Sequence, residues 1–261
     1  MNKLILAKLS AALFIVIASF FSFCGFFAQG ATNDTAADKL FYQANAAYKE
    51  SKYDRAIENY EKLIKSGLES PNLYYNLGNS YFKKGEAGKA IVNYERAKRF
   101  IPNDSDLKSN YDYAHSSLNL ERKPFGNLFE KLADRLFEGA TINFLTIFLS
   151  VIYVFVIIAF ILSLFFGGLK RLILPLIFIL ISLFILAAVS LQSKITYFNT
   201  GAIVISKEAP IKFEPLESAT IYFKLTEGNE VEIIEKAENW YKIKRPDGKI
   251  GWINKTDLEL L

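Results

Sequence analysis

The sequence predicts a multidomain chain: an all-α helical repeat, a two-helix transmembrane hairpin and a small all-β barrel. Three observations carry this. Residues 40–61 and 74–95 repeat one another at an offset of 34. Two uncharged apolar runs, 142–166 and 172–191, flank the pair Lys170-Arg171. Beyond residue 201, short alternating apolar runs are separated by turn residues. The composition agrees. Hydrophobic residues make up 51% of the 261, yet 22% are charged and the mean hydropathy is only +0.17, so apolar and charged residues occupy different stretches.

The first stretch is 1–30. Lys3 and Lys8 precede an uncharged run from 9 to 27, and Ala28 and Gly30 offer small residues before polar 32–34. This pattern predicts a signal peptide cleaved after Gly30, with an uncleaved anchor helix as the alternative. Cys24 would leave with the signal, because Phe23 stands where a lipoprotein signal needs a small residue.

The repeat comes next. Tyr74, Leu77, Gly78, Tyr81, Ala90, Tyr94, Ala97 and Pro102 fall at the spacing of a helix–turn–helix unit of 34 residues. These residues resemble the tetratricopeptide repeat. The units are 37–70 and 71–104, the first carrying Gln43 and Leu63 at positions where Leu and Ala are usual. Small residues at Ala44 or Gly78 on the first helix let Ala56 or Ala90 on the second come close. Two repeats need a cap. Leu107, Tyr111, Ala114 and Leu118 supply one helix face over 105–118, and His115 beside it reads as a surface or boundary residue.

The resemblance implies a concave groove lined by the first helix of each unit. Its members would be Phe41, Asn45, Tyr48 and Lys49, then Tyr75, Asn79, Phe82 and Lys83, with Tyr113 and Ser109 from the cap. Asn45 and Asn79 share one repeat position, and an amide can both donate to and accept from a peptide backbone. On this reading they bond a ligand without touching the helix–helix core. Phe41 and Ser109 stand where a carboxylate clamp would need basic residues. The aromatic side chains either line the groove for a ligand or merely cover it.

Within 120–140, Phe125, Leu128, Phe129, Leu132 and Leu136 form an apolar stripe opposite Glu130, Lys131, Asp134, Arg135 and Glu138. This amphipathic helix reads as interfacial, or as a second cap on the repeats. The run 142–166 is about 37 Å long as a helix and 172–191 about 30 Å, enough to cross a bilayer. Lys170 and Arg171 place the turn at 167–171 in the cytoplasm by the positive-inside rule. The repeats and the β region would then share the periplasmic side of an inner membrane, where the signal also sends the repeats.

In 201–261, turns at 227–229 and 246–249 separate the alternating runs. Trp240-Tyr241-Lys242-Ile243, followed by Asp247-Gly248-Lys249-Ile250-Gly251-Trp252-Ile253, resembles the bacterial SH3 domain. The resemblance implies that Tyr222, Trp240, Tyr241 and Trp252 face a peptide or cell-wall ligand. The alternative puts both tryptophans in the core.

One histidine and one cysteine leave no zinc set and no disulfide within the chain, and the common nucleotide, zinc and nucleophile-elbow motifs are absent. No catalysis and no cofactor are expected. The net charge of +4 is no nucleic-acid footprint. Residues 31–141 hold 17 basic and 16 acidic residues, 192–261 hold 10 and 11, and the other four basic residues flank apolar runs. In its order of segments the chain resembles the BatE-like proteins of the bacterial aerotolerance (Bat) operon family. That implies an envelope scaffold for protein segments, with von Willebrand A-domain membrane proteins of the same system as partners. The competing function is an anchor on peptidoglycan through the SH3-like region. The lipid bilayer is a partner on either reading.

Overall fold

The computed structural model describes residues 35–120 and 125–261. The signal expected at 1–30, with Lys3, Lys8 and Cys24, lies outside the described residues. Two helical hairpins open the described chain: α1 (Thr35–Lys49) with α2 (Tyr53–Lys65), and α3 (Pro71–Lys84) with α4 (Ala87–Lys98). Helix α5 (Ser105–Ser117) stacks on them. The helix ends follow local chemistry. Ser70 Oγ accepts from Leu73 N–H at 3.2 Å, and Pro71 takes the first turn, where its missing N–H costs nothing. Asp104 caps α5 through Leu107 N–H at 2.8 Å.

The repeat core is continuous through Ala44, Ala56, Tyr60, Leu63, Leu73, Leu77, Ala90, Tyr94, Ala97, Leu107 and Ala114, all buried. Gly78 shows why a small residue is needed between α3 and α4. A Cβ there would lie 2.7 Å from the Tyr94 ring and 3.2 Å from the Ala90 carbonyl.

A short helix, α6 (Leu128–Leu136), follows. It is shorter than the stripe predicts, because Asn127 starts it with a capping box shared with Glu130. Then come two apolar helices, α7 (Ile142–Phe165) and α8 (Lys170–Thr200), joined by a single turn. They pack on each other and bury few of their side chains fully, leaving the rest half-buried or exposed. Helix α8 does not stop with its apolar run. It continues to Thr200 and enters the β region at Gly201.

The β region is a seven-stranded antiparallel sheet in the order β3-β2-β6-β5-β4-β1-β7. Its strands are β1 (Gly201–Val204), β2 (Glu208–Lys212), β3 (Ile221–Thr226), β4 (Glu230–Lys236), β5 (Trp240–Lys244), β6 (Ile250–Asn254) and β7 (Leu258–Leu260). Ala202, Val204, Ala209, Ile211, Leu225, Val231, Ile233, Ile243, Ile253 and Leu258 form its core.

The sheet is docked on the repeats. Ile203 of β1 is buried in the repeat core. Gly88 N–H donates to Glu227 Oε1 at 2.6 Å, and Arg96 pairs with Glu259 at 2.8 Å while donating to the Leu260 carbonyl at 2.6 Å. The β3–β4 turn presses against Leu118, Leu120 and Ile91 at Gly228, whose φ of +84° and lack of a side chain permit both the turn and the contact.

Candidate functional site

On the first-helix face of the repeats, a hydrogen-bond ladder recurs. Tyr60 of α2 donates to Asn45 Oδ1 of α1 at 2.6 Å, and Asn76 of α3 donates to the same oxygen at 3.0 Å. One repeat later, Tyr94 of α4 donates to Asn79 Oδ1 at 2.8 Å, and Asn110 of α5 donates to it at 2.9 Å. Asn110 also donates to Tyr75 Oη at 2.8 Å. Both rungs join the two helices of a unit to the next unit. This corrects the expectation that Asn45 and Asn79 stand clear of the helix–helix contact: each carbonyl already carries two internal donors. Burial raises the Tyr60 phenol to a pKa of about 12, and raises Tyr94 too, because phenolates would lose hydration there.

The remaining groove residues divide by support. Phe41 meets the Tyr60 ring edge-on at 5.9 Å, Tyr48 meets Tyr53 at 5.6 Å, and Tyr75 lies 6.2 Å from Tyr94. These three are half-buried. Phe82 is braced by Tyr113 at 5.4 Å. Lys49, Lys83 and Ser109 are exposed. Two large aromatics on the helices that carry this ladder are open: Tyr113 of α5, 65% exposed, and Tyr42 of α1, 71% exposed. Tyr42 shares the face of Asn45 three residues on, and its ring lies 6.5 Å from Phe41. Tyr42 is not among the groove positions that the resemblance implies, although the offset of 34 sets it in line with Asn76 and Asn110.

The β-sheet aromatics are arranged otherwise. Trp240 and Trp252 are 7% and 9% exposed. They belong to the outer face of β5 and β6 rather than to the sheet core, since Lys242 pairs with Trp252 while Ile243 and Ile253 point inward. Lysines roof them: Lys212 Nζ lies 5.0 Å from the Trp240 ring centre and Lys242 Nζ lies 5.4 Å from that of Trp252. Lys212 is itself buried and held by the Glu217 carboxylate at 3.0 Å and the Glu217 carbonyl at 2.5 Å. Tyr241 is half-buried against the sheet core, with Lys255 Nζ 5.0 Å from its ring. Tyr222 is the exposed member, its ring tilted against that of Phe213 with centres 4.5 Å apart.

His115 is not at the surface. It is buried at the boundary of the repeats and the sheet, edge-on to Tyr111 at 4.5 Å, with its Nε2 3.9 Å from Glu230 Oε1. Tyr111 Oη reaches both Glu95 and Glu230.

Residues 42–105 match the family model of the tetratricopeptide repeat, and residues 208–259 match that of the bacterial SH3 domain. No curated protein matches the chain. Both matched modules are of kinds that generally bind proteins or peptidoglycan. The helical repeat, the two apolar helices and the antiparallel sheet agree with the predicted fold class.

Proposed function

We propose that this protein is a membrane-anchored, non-enzymatic envelope scaffold whose repeat groove holds an extended segment of a partner protein. The observation that carries the reading is an asymmetry of cover. The β domain covers α4, while Tyr42 of α1 and Tyr113 of α5 stay open beside a ladder of amides. Exposed tyrosines give contact area at low entropic cost. The apolar hairpin of α7 and α8 supports anchoring, and Lys170-Arg171 at its turn supports a cytoplasmic turn with both domains in the periplasm. The likeness in segment order to the Bat family supports a place in a stress or aerotolerance complex, with von Willebrand A-domain membrane proteins as partners.

The test is affinity capture of the detergent-solubilised full chain, with mass spectrometry of what co-purifies. The Tyr42→Ala, Tyr113→Ala double variant should lose the partner that the wild type recovers. Undiminished recovery would refute the groove.

A second reading is a peptidoglycan anchor acting through the β domain. The exposed group Phe213, Leu216, Ile221 and Tyr222 favours it. Sedimentation of the full chain with purified cell wall, lost on Tyr222→Ala, would support that reading, and absence of co-sedimentation would remove it.

A further inference from the structure

We infer that α6 is a lipid-binding element whose apolar side rests in the headgroup region of an anionic bilayer. The inference depends on α7 and α8 being the membrane anchor, and it adds a second, shallower contact.

Leu128, Phe129, Leu132 and Leu136 lie on one side of α6 and are all exposed, Leu128 by 85% and Leu136 by 59%. The other side is occupied. Ala133 is fully buried, and Asp134 Oδ2 accepts from Ser193 Oγ of α8 at 2.6 Å. Lys194 Nζ donates to the Glu138 carbonyl at 3.3 Å, just past the end of α6. The stripe is therefore turned away from the protein by bonds on the opposite side.

The depth follows from α8. Its apolar run ends at Leu191, and Ser193 stands two residues beyond, about 3 Å along the helix axis. The chain also enters α7 at Ile142, shortly after α6 ends. Both neighbours put α6 at the mouth of the hairpin. Lys131 and Arg135 follow Leu128 by three and seven positions and run along one edge of the stripe, exposed. An apolar stripe edged with cations suits acyl chains beneath anionic headgroups better than a symmetric contact with a second copy, where those cations would face each other.

The same segment reaches the repeats. Asn103 Nδ2 donates to the Gly139 carbonyl at 2.9 Å, and the Arg99 guanidinium lies 5.7 Å from the Phe198 ring centre on α8. Seating α6 would thus hold the repeats at a set height above the bilayer.

The experiment uses the full chain with Cys24→Ser, reconstituted in phosphatidylcholine vesicles with or without phosphatidylglycerol. A single environment-sensitive fluorophore is placed through Leu132→Cys, Phe178→Cys or Lys108→Cys, and quenched by lipids carrying nitroxides at chosen depths. The label at 132 should be quenched most by shallow nitroxides and the label at 178 by deep ones, while the label at 108 keeps its emission. Lys131→Ser with Arg135→Ser should bring quenching at 132 in anionic vesicles down to its level in neutral ones. A label at 132 that behaves like that at 108, while 178 is quenched, would overturn the inference alone. Failure at 178 as well would instead remove the membrane anchor. Cross-linking between two copies through 132 without lipid quenching would assign the stripe to a second copy and overturn the lipid reading.

Discussion

Two surfaces of this molecule are rich in aromatic residues, and they are built in opposite ways. On the repeats, the inner aromatics are propped by neighbouring rings and amides, and Tyr42 and Tyr113 are left open. On the β domain, Trp240 and Trp252 lie on the outer face of the sheet but are closed over by Lys212, Lys242 and the segment after β2. An aromatic residue on an outward strand position is therefore no guarantee of a binding face. What decides is whether the flanking chain supplies its own cover.

The largest effect expected from breaking this contrast falls on the amide ladder. Asn45→Ala with Asn79→Ala would leave the Tyr60 and Tyr94 hydroxyls without their acceptors, at about 1–3 kcal/mol per site. A thermal melt of the full chain should show a clear fall in the repeat transition. An unchanged melt would mean that the ladder adds nothing to stability.

Next is the contact that covers α4. A Cβ at Gly88 would lie 2.6 Å from Glu227 Cγ and 2.9 Å from the Val204 carbonyl, which as backbone cannot easily yield. Gly88→Val should cost about 1–3 kcal/mol of docking. The measurable result is faster proteolysis between the repeats and the sheet, with the groove's partner still bound.

The open tyrosines sharpen the contrast from the other side. Tyr42→Ala and Tyr113→Ala should weaken partner binding at least about tenfold, which is about 1.4 kcal/mol. They should leave stability within about 0.5 kcal/mol, as exposed substitutions usually do. Calorimetric titration and a melt on the same variant separate the two outcomes.

The smallest effect appears only in alkali. Tyr60, Tyr81 and Tyr94 have pKa values raised above 10.0, chiefly by burial, Tyr81 also by its bond to Glu61. Protons are held more tightly by the folded state, so their contribution is intact below pH 10 and is lost as pH rises, for Tyr60 through about 12. Phenolate absorbance should rise together with loss of helical signal. Ionisation of these rings while the helices persist would contradict the burial.

The repeat and the hairpin were legible because each has a period or a length that few alternatives share. The offset of 34 located both helix pairs, and charge-free runs located α7 and α8. The β region was read less fully. Strand β2 contains Pro210, which weakens a strand reading, and β7 has only three residues. The ladder was half legible: Asn45 and Asn79 stood out as a pair, but their donors lie on other helices. The docking of the sheet on α4 was not legible. Arg96, Glu227 and Glu259 are ordinary surface charges until the two domains meet, and no local pattern encodes that meeting.

In the proposed function, partners enter through the groove and not through the sheet. Site-specific photo-crosslinking in membranes tests it most directly, with a photoreactive phenylalanine replacing Tyr42, Tyr113 or Tyr222 one at a time in the full chain. Entry through the groove gives one shared partner adduct from positions 42 and 113 and none of that adduct from 222. An adduct from 222 alone, with 42 and 113 silent, would contradict it and move the binding function to the β domain.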